Sequence, residues 1–238
     1  MMAAGPGPKR VRAHVLAAVR RPRCVVLDFD GVMFDVQGSL GSGAREEAVV
    51  ALLGRRKYRP RPLPITFAWF GVHRTMAYLA EHEPDRAVEA EAAVSNLELD
   101  AALTARSRPD LDRLFAACVA TGRRIAVISD LSEAAVLATL QAHGMYRHIA
   151  AVAARQGLDL SALDVASTAG RAADLLGVSV TECLVVSGSA VALHDAHRVG
   201  AIGLGHECGR DRRKHLAAAH APVVPDLATL SQALLIWQ

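Results

Sequence analysis

Short apolar runs alternate with amphipathic segments along most of this chain. The runs have the length and composition of buried strands, and the segments between them have a helical period. The predicted strands cover residues 24–27, 124–128, 149–153, 183–186 and 201–204. The predicted helices cover residues 109–121, 132–143, 166–176, 190–199 and a last segment that begins at residue 227. This alternation predicts an α/β fold in which a parallel sheet carries helices on both faces.

An all-helical stretch interrupts the alternation between the first and second predicted strands. It contains helical patterns at residues 44–53, 67–81 and 85–105, and a basic, proline-rich loop at residues 55–62. The glycine and serine residues of segment 37–43 predict a flexible hinge before these helices. We therefore predict a core domain and an inserted helical domain. The core comprises residues 1–35 and 106–238, with residues 1–8 disordered, and the insertion comprises residues 36–105.

The composition fits a globular protein and argues against several other classes. With 238 residues and 52% hydrophobic content, the chain can bury one sizeable core. No apolar run reaches the length of a membrane-spanning helix, so we expect no membrane insertion. The four cysteines are scattered without a CxxC pair, which favours reduced thiols in a cytoplasmic protein. The net charge of +3 is not accompanied by a zinc pattern or an aromatic-rich basic surface, so we expect no specific nucleic-acid binding.

The candidate chemistry is concentrated in the segment Asp28-Phe29-Asp30-Gly31-Val32. Two carboxylates stand one residue apart at the end of the first predicted strand. Open α/β sheets bind ligands at the carboxyl ends of their strands, so this position favours a functional site. An Asp-x-Asp-Gly segment can also be simple turn chemistry or the start of a calcium-binding loop. The calcium pattern needs a later glutamate at a fixed spacing, but Ser39 and Leu40 stand there.

The same segment resembles motif I of the haloacid dehalogenase (HAD) superfamily, in which Asp-x-Asp-x-Val/Thr follows a hydrophobic strand. After residue 20, the chain is similar to the branch with a helical C1 cap, which includes phosphoglycolate-phosphatase-like and β-phosphoglucomutase-like proteins. The resemblance implies a HAD-type Rossmannoid core with residues 36–105 as the cap. It also implies phosphoryl transfer through an aspartyl-phosphate with Mg²⁺ as cofactor.

The resemblance assigns a role to each residue of the predicted site. Asp28 falls at the position of the nucleophile, and Asp30 falls at the position of the general acid/base. The hydrophobic strand that ends in Ser129 matches motif II, whose hydroxyl holds a phosphate oxygen. Gly31 and Asp130 complete the predicted phosphate-binding residues. Asp28 and Asp30 are also the predicted metal ligands.

The chain departs from the HAD pattern at motif III. That motif needs a lysine, whose ammonium neutralises the crowded carboxylates and the transferring phosphoryl group. By spacing, the position falls near Leu163 or Asp164. The lysines of the chain are Lys9, Lys57 and Lys214, so none lies in the required region.

Motif IV departs from the pattern as well. It normally reads Gly-Asp-Ser, followed by a further acid, immediately after a strand. Here the strand is followed by Ser187-Gly188-Ser189, so that Gly188 replaces the metal-binding aspartate and Ala192 replaces the second acid. Mg²⁺ prefers octahedral coordination by carboxylate and water oxygens. We therefore expect Mg²⁺ binding to be weak or absent.

Three residues outside the motifs are candidates to replace the missing lysine of motif III or the missing acids of motif IV. Arg155 or Arg171 could supply positive charge, although a guanidinium on a different stem does not reproduce a compact lysine ammonium. We expect Asp195, which lies further along the helix after motif IV, to face solvent or to cap a neighbouring group. The sequence therefore favours an incomplete catalytic site.

Two functions fit this sequence. The first is a HAD-family hydrolase-like protein with lost or strongly reduced phosphatase activity, a pseudoenzyme with a binding or regulatory role. The alternative is an active HAD phosphohydrolase that acts on a small phosphate monoester through an aspartyl-phosphate at Asp28. A small anionic or phosphorylated ligand is expected in the cleft between core and cap. The basic cluster at residues 55–61 could grip such a ligand, although charge runs are more often solvated loops.

Overall fold

A computed structural model describes residues 11–41, 43–54, 67–159, 164–209, 211 and 213–236. Three features of the sequence prediction lie outside the described residues. They are the disordered N-terminus at residues 1–8, the basic loop at residues 55–62, and Leu163. Within the described ranges, no helix combines the length and the apolar character needed to cross a bilayer.

Six strands form one sheet at the centre of the structure. They are β1 (Cys24–Asp28), β2 (Arg124–Ser132), β3 (Ala151–Arg155), β4 (Cys183–Ser187), β5 (Ile202–His206) and β6 (Val223–Val224). Their order in the sheet is β3-β2-β1-β4-β5-β6, and every neighbouring pair is parallel. The first five strands overlap the predicted apolar runs. Strand β6 has two residues, which is too short for an apolar pattern to reveal.

Helices cover both faces of the sheet, as the alternation predicts. In the part of the chain that the structure describes, the α-helices are α1 (Ala13–Arg20), α2 (Val36–Leu40), α3 (Ala44–Gly54), α4 (Phe67–His82), α5 (Pro84–Thr104), α6 (Leu111–Ala120), α7 (Glu133–Ala142), α8 (Val165–Leu176), α9 (Ala190–Arg198), α10 (Arg213–Ala218) and α11 (Leu227–Leu235). On β1, Val25 and Leu27 are buried in a cluster that includes residues of α1, α6 and α11. Cys24 and Val26 point to the other face and are buried with residues of α8 and α9. These alternating layers confirm the predicted α/β class.

Helices α2 to α5 lie between β1 and β2 along the chain, within the segment predicted as the cap. Helices α3, α4 and α5 share an apolar cluster, whereas Val36 and Leu40 of α2 are buried in the main cluster that covers one face of the sheet. The members of the smaller cluster are Val49, Val72, Met76, Leu79, Ala87, Ala90 and Val94. The two ends of the segment are close together, because the Asp35 N–H donates to the Arg106 carbonyl at 3.1 Å. The division into a core of residues 1–35 and 106–238 and a cap of residues 36–105 stays a prediction.

The predicted flexible hinge at residues 37–43 is wrong in its first half. That part of the chain belongs to α2, and Val36 and Leu40 are buried. The reason is a contact that composition does not reveal. The Asp30 carboxylate accepts hydrogen bonds from the N–H groups of Val36 and Gln37, at 2.9 and 3.1 Å, and so caps the start of the helix.

Candidate functional site

A small cavity of about 150 Å³ opens at the carboxyl end of β1, and Asp28 lines it. We call it the Asp28 pocket. Its polar lining consists of Asp28, Ser129, Asp130, Thr168, Ser189 and Asp195. The sheet brings these side chains together because β1 pairs in parallel with both β2 and β4, so their carboxyl ends meet at one edge. The predicted residues Asp28, Ser129 and Asp130 therefore share one pocket.

Ser187 is a site residue that the sequence reasoning missed. Its buried hydroxyl donates a hydrogen bond to Asp28 Oδ2 at 2.7 Å, and it accepts one from the Ser189 N–H at 3.1 Å. The strand register could have revealed it, because Leu27 lies opposite Val186, so the next residues along the two strands are Asp28 and Ser187. The hydroxyl therefore occupies one side of the carboxylate predicted to be the nucleophile.

Asp30 and Gly31 lie away from the Asp28 pocket. They line a second cavity of about 490 Å³, together with Asp35 and Arg108 among others. Strand β1 ends at Asp28, and the chain then turns sharply through Gly31, whose φ of +95° suits a residue without a side chain. The Asp30 side chain is 4% exposed, and its Oδ1 accepts the two N–H groups that begin α2. The two carboxylates of the Asp-x-Asp segment thus line different cavities.

Asp195, which the sequence analysis expects to face solvent or to cap a neighbour, lines the Asp28 pocket with its side chain 23% exposed. It stands on α9 three residues after Ala192, which lines the same pocket, and residues at this spacing share a helix face. Its Oδ1 lies 3.7 Å from the Arg198 guanidinium. Asp164, one of the two positions assigned to motif III, begins α8. It accepts the Ala166 N–H at 3.0 Å and pairs with Arg198 at 2.9 Å.

Arg155 does not bring its charge into the Asp28 pocket. It is 0% exposed, and all five of its N–H groups have acceptors. The acceptors are Asp130 O at 3.2 Å, Glu91 Oε1 at 2.8 Å, Gly157 O at 3.1 Å, Ser95 Oγ at 3.5 Å and Glu98 Oε2 at 2.6 Å. Arg171, the other candidate, binds the carbonyl of Ala154 and pairs with Asp159 at 3.5 Å. Neither arginine therefore takes the place of the motif III lysine.

The contacts of Arg155 belong to a buried ionic cluster that joins α3 and α5 to the sheet. We call it the Arg155 network, and its members are Arg45, Glu91, Glu98, Asp130 and Arg155. Glu98 is 0% exposed; its Oε1 lies 3.2 Å from Arg45 Nε, and its Oε2 accepts the Ser132 N–H at 2.8 Å. Arg45 Nη1 lies 3.6 Å from Asp130 Oδ2. Burial raises the pKa of the Glu98 carboxyl, although Arg155 and Arg45 act in the opposite direction.

His206, at the carboxyl end of β5, is a buried titratable group beside the second cavity's Arg108. Burial lowers the pKa of its imidazole to about 4, and Arg108 adds to this shift. Among the described residues, its Nδ1 has no hydrogen-bond partner. The imidazole is therefore neutral in the folded protein at neutral pH.

This placement predicts a pH-dependent stability. The unfolded chain binds a proton at His206 near pH 6.5, whereas the folded protein resists it down to about pH 4. The free energy of unfolding should therefore fall as pH decreases from 6.5 to 4, by about 2–3 kcal/mol from this group. Urea unfolding at several pH values in this range gives the free energy of unfolding of the wild type and of His206→Gln as two curves against pH. The difference between the two curves measures the contribution of His206. Parallel curves would contradict the assignment.

Three solved structures illustrate which known proteins are similar to this chain in fold. A haloacid dehalogenase-like hydrolase from Streptococcus pneumoniae matches with a TM-score of 0.63 and 10% identity, over 92% of this chain and 99% of that chain. CbbY from Rhodobacter sphaeroides, in complex with phosphate, matches with a TM-score of 0.63 and 18% identity, over 87% and 95%. A predicted phosphoglycolate phosphatase from Haemophilus somnus matches with a TM-score of 0.63 and 15% identity, over 89% and 97%.

The chain has the HAD fold. The structure thus confirms the resemblance drawn from motif I at the level of the fold. At these low identities, the HAD fold alone says nothing of the activity, which has to be argued from the residues of the site. No protein-family model matches the sequence, and no curated protein matches it.

The residues around Asp28 do not fit the Mg²⁺ ion that the HAD resemblance implies. Gly188 and Ala192 stand where the resemblance places the two acids of motif IV, and neither has a side-chain oxygen. In the described part of the chain, no three His, Cys, Asp or Glu side chains are grouped so that they could hold a metal ion. Asp28 itself accepts the Ser187 hydroxyl on one oxygen. Asp28, Asp130 and Asp195 all line the pocket, but these carboxylates are not grouped so that they could share one ion.

Proposed function

We propose that this HAD-fold protein has lost or strongly reduced phosphatase activity and uses the Asp28 pocket to bind a small anionic or phosphorylated ligand. The observation that carries the proposal is the structure around motif IV. Gly188 replaces a metal-binding carboxylate, and the adjacent Ser187 hydroxyl is hydrogen-bonded to Asp28. The nucleophile position is therefore kept while the groups that neutralise its charge are missing.

Phosphoryl transfer through an aspartate has three requirements. The nucleophile must be positioned, the phosphoryl charge must be neutralised, and the leaving oxygen must be protonated. Asp28 can meet the first requirement. Asp30, which the resemblance assigns to the third, lies outside the described lining of the Asp28 pocket and accepts the N–H groups of Val36 and Gln37 on its Oδ1. The second requirement is unmet by the described lining of the pocket, which contains no basic side chain.

Three features of the pocket support a small anionic ligand. Ser129, Thr168 and Ser189 supply hydroxyl groups along the wall, and hydroxyls can donate to phosphate oxygens. Val191 and Ala192 of the first turn of α9 also line the pocket, so the positive end of that helix faces it. A volume of about 150 Å³ is below the range of drug-sized pockets, which favours a phosphate-sized group.

An active HAD phosphohydrolase that acts on a small phosphate monoester remains the second candidate. It is supported by the partial exposure of Asp28 at the pocket and by neighbours in fold that are described as phosphatases or hydrolases. The two candidates differ in what Asp28 does to a phosphoryl group. Mg²⁺ titration followed by beryllofluoride binding separates them, since beryllofluoride occupies an activated aspartate. Tight binding that Asp28→Asn abolishes would support the enzyme, and absence of binding would support the pseudoenzyme.

Restoring one carboxylate should increase metal affinity. We predict that the wild type shows little Mg²⁺ occupancy beside Asp28 at millimolar concentrations, whereas Gly188→Asp binds Mg²⁺ measurably more tightly, because it adds an oxygen ligand next to Asp28. Isothermal titration calorimetry of both proteins measures this difference. Gly170→Asp, on α8 but outside the described pocket lining, is the control for added charge, because a Cβ added at Gly170 meets no atom within 4 Å. Equal affinity of wild type and Gly188→Asp would mean that Asp195 or Asp130 already completes the site.

A further inference from the structure

We infer that Arg45 supplies the positive charge with which the Asp28 pocket holds an anion. This inference rests on the proposed function, because it names the residue through which a phosphate group would bind. The pocket needs such a charge, since three carboxylates line it and its described lining holds no basic side chain. A phosphate dianion placed among Asp28, Asp130 and Asp195 would be repelled unless a cation enters the same space.

Arg45 lies outside the described lining of the pocket, but it is close to Asp130, which belongs to that lining. Its Nη1 lies 3.6 Å from Asp130 Oδ2, and Asp130 is part of the pocket wall. The Arg45 side chain is 12% exposed, so it is largely desolvated. At this distance the Arg45–Asp130 pair is longer than a hydrogen bond. An entering phosphate oxygen can therefore compete with Asp130 for the guanidinium.

The Arg155 network holds Arg45 in this position. Glu98 lies between the two arginines, with Oε2 at 2.6 Å from Arg155 and Oε1 at 3.2 Å from Arg45 Nε. Arg155 is fixed by hydrogen bonds to the sheet and to α5. Because Glu98 contacts Arg155 with one oxygen and Arg45 with the other, the three side chains follow one another from the buried end of the cluster towards the pocket. On the other side of the guanidinium, Arg45 Nη1 is the nitrogen that lies near Asp130. Arg45 Nε and Glu98 Oε1 form an ion pair but have no hydrogen-bond partner among the described residues, so the guanidinium keeps its Nη groups for a phosphate.

The other arginines near the pocket are less suited to this role. Arg155 is fully buried and all its donors have acceptors, so an anion could reach it only by breaking that cluster. Arg198 is 56% exposed, and both oxygens of Asp164 lie within 3.1 Å of its Nη2. It is therefore more strongly hydrated and already neutralised. Arg45 combines partial burial with a weak ionic partner at the pocket.

The test measures binding of inorganic phosphate to the full chain by isothermal titration calorimetry at pH 7.5 without metal. We expect Arg45→Gln to bind phosphate about ten- to a hundred-fold more weakly than the wild type, which corresponds to the loss of one charge-assisted hydrogen-bonding group. Arg45→Lys keeps the charge and should retain most of the binding. Arg113→Gln removes the same charge from an exposed ion pair with Asp110 and should bind as the wild type does.

A folding defect is controlled by a second variant. Arg45→Gln combined with Glu98→Gln removes one charge of each sign, so the net charge of the Arg155 network is unchanged, and it should show the same loss of affinity. Binding within two-fold of the wild type in either variant would overturn the role of Arg45 while leaving the proposed function standing. Absence of phosphate binding by the wild type would instead contradict ligand binding at the Asp28 pocket altogether.

Discussion

Arg155→Met is expected to lower the free energy of unfolding by about 3–5 kcal/mol, since it removes one partner from a buried ion pair. Arg155 and Glu98 are both 0% exposed, and their atoms approach to 2.6 Å. Methionine fills similar space, but the carboxylates of Glu98 and Glu91 lose the hydrogen bonds that Arg155 donates to them. The hydrogen bond from Arg155 to the Asp130 carbonyl is lost at the same time. The helical segment and the sheet are therefore both affected.

Urea denaturation followed by far-ultraviolet circular dichroism measures this change. Arg113→Met is the matched control, because Arg113 forms an exposed ion pair with Asp110 at 3.2 Å, and such pairs contribute about 0–1 kcal/mol. Glu98→Gln should cost less than Arg155→Met, because burial already raises the pKa of Glu98 and so opposes its charged form. A loss below about 1 kcal/mol for Arg155→Met would show that the Arg155 network does not hold the segment to the sheet.

The sheet could be predicted from the sequence because its strands are apolar on both faces and are separated by helices of ordinary length. That pattern places Asp28, Ser129 and Gly188 at the ends of neighbouring strands, and the structure brings Asp28 and Ser129 into one pocket. Ser187 follows from the same pairing, since it stands beside Asp28 on β4. Asp195 follows from helical spacing, because it shares a face with Ala192.

Other parts of the site depend on contacts between distant segments, which a pattern along the chain does not contain. The direction of Asp30 is set by the turn at Gly31 and by the start of α2, so the two carboxylates separate although the sequence spaces them closely. The Arg155 network joins residues up to 110 positions apart (155 minus 45). On α5, Glu91 and Glu98 stand seven residues apart and share one face of the helix. That spacing does not by itself predict that Arg155 binds both carboxylates, because Arg155 lies on a distant strand.

The last prediction is that the wild type hydrolyses p-nitrophenyl phosphate and common sugar phosphates no faster than an Asp28→Asn control. Loss of one electrostatic stabiliser typically costs about 2.7–4 kcal/mol, on the order of a hundred- to a thousand-fold in rate. The chain departs from the HAD pattern twice, at motif III and at Gly188, so the combined loss would approach about a million-fold if the two acted independently. Groups that act as a unit are strongly non-additive, which makes this an upper bound.

Arg45 does not change this expectation. A guanidinium behind Asp130 can hold a phosphate oxygen, but it does not polarise the phosphoryl group from the side of Asp28, where the Ser187 hydroxyl already lies. Ligand binding and turnover are therefore expected to separate, because Arg45→Gln should weaken phosphate binding in a protein whose wild type already shows no turnover. Phosphate release is measured with a coupled colorimetric assay in millimolar Mg²⁺. Robust wild-type hydrolysis that disappears in Asp28→Asn would overturn the pseudoenzyme and make the active phosphohydrolase the better description.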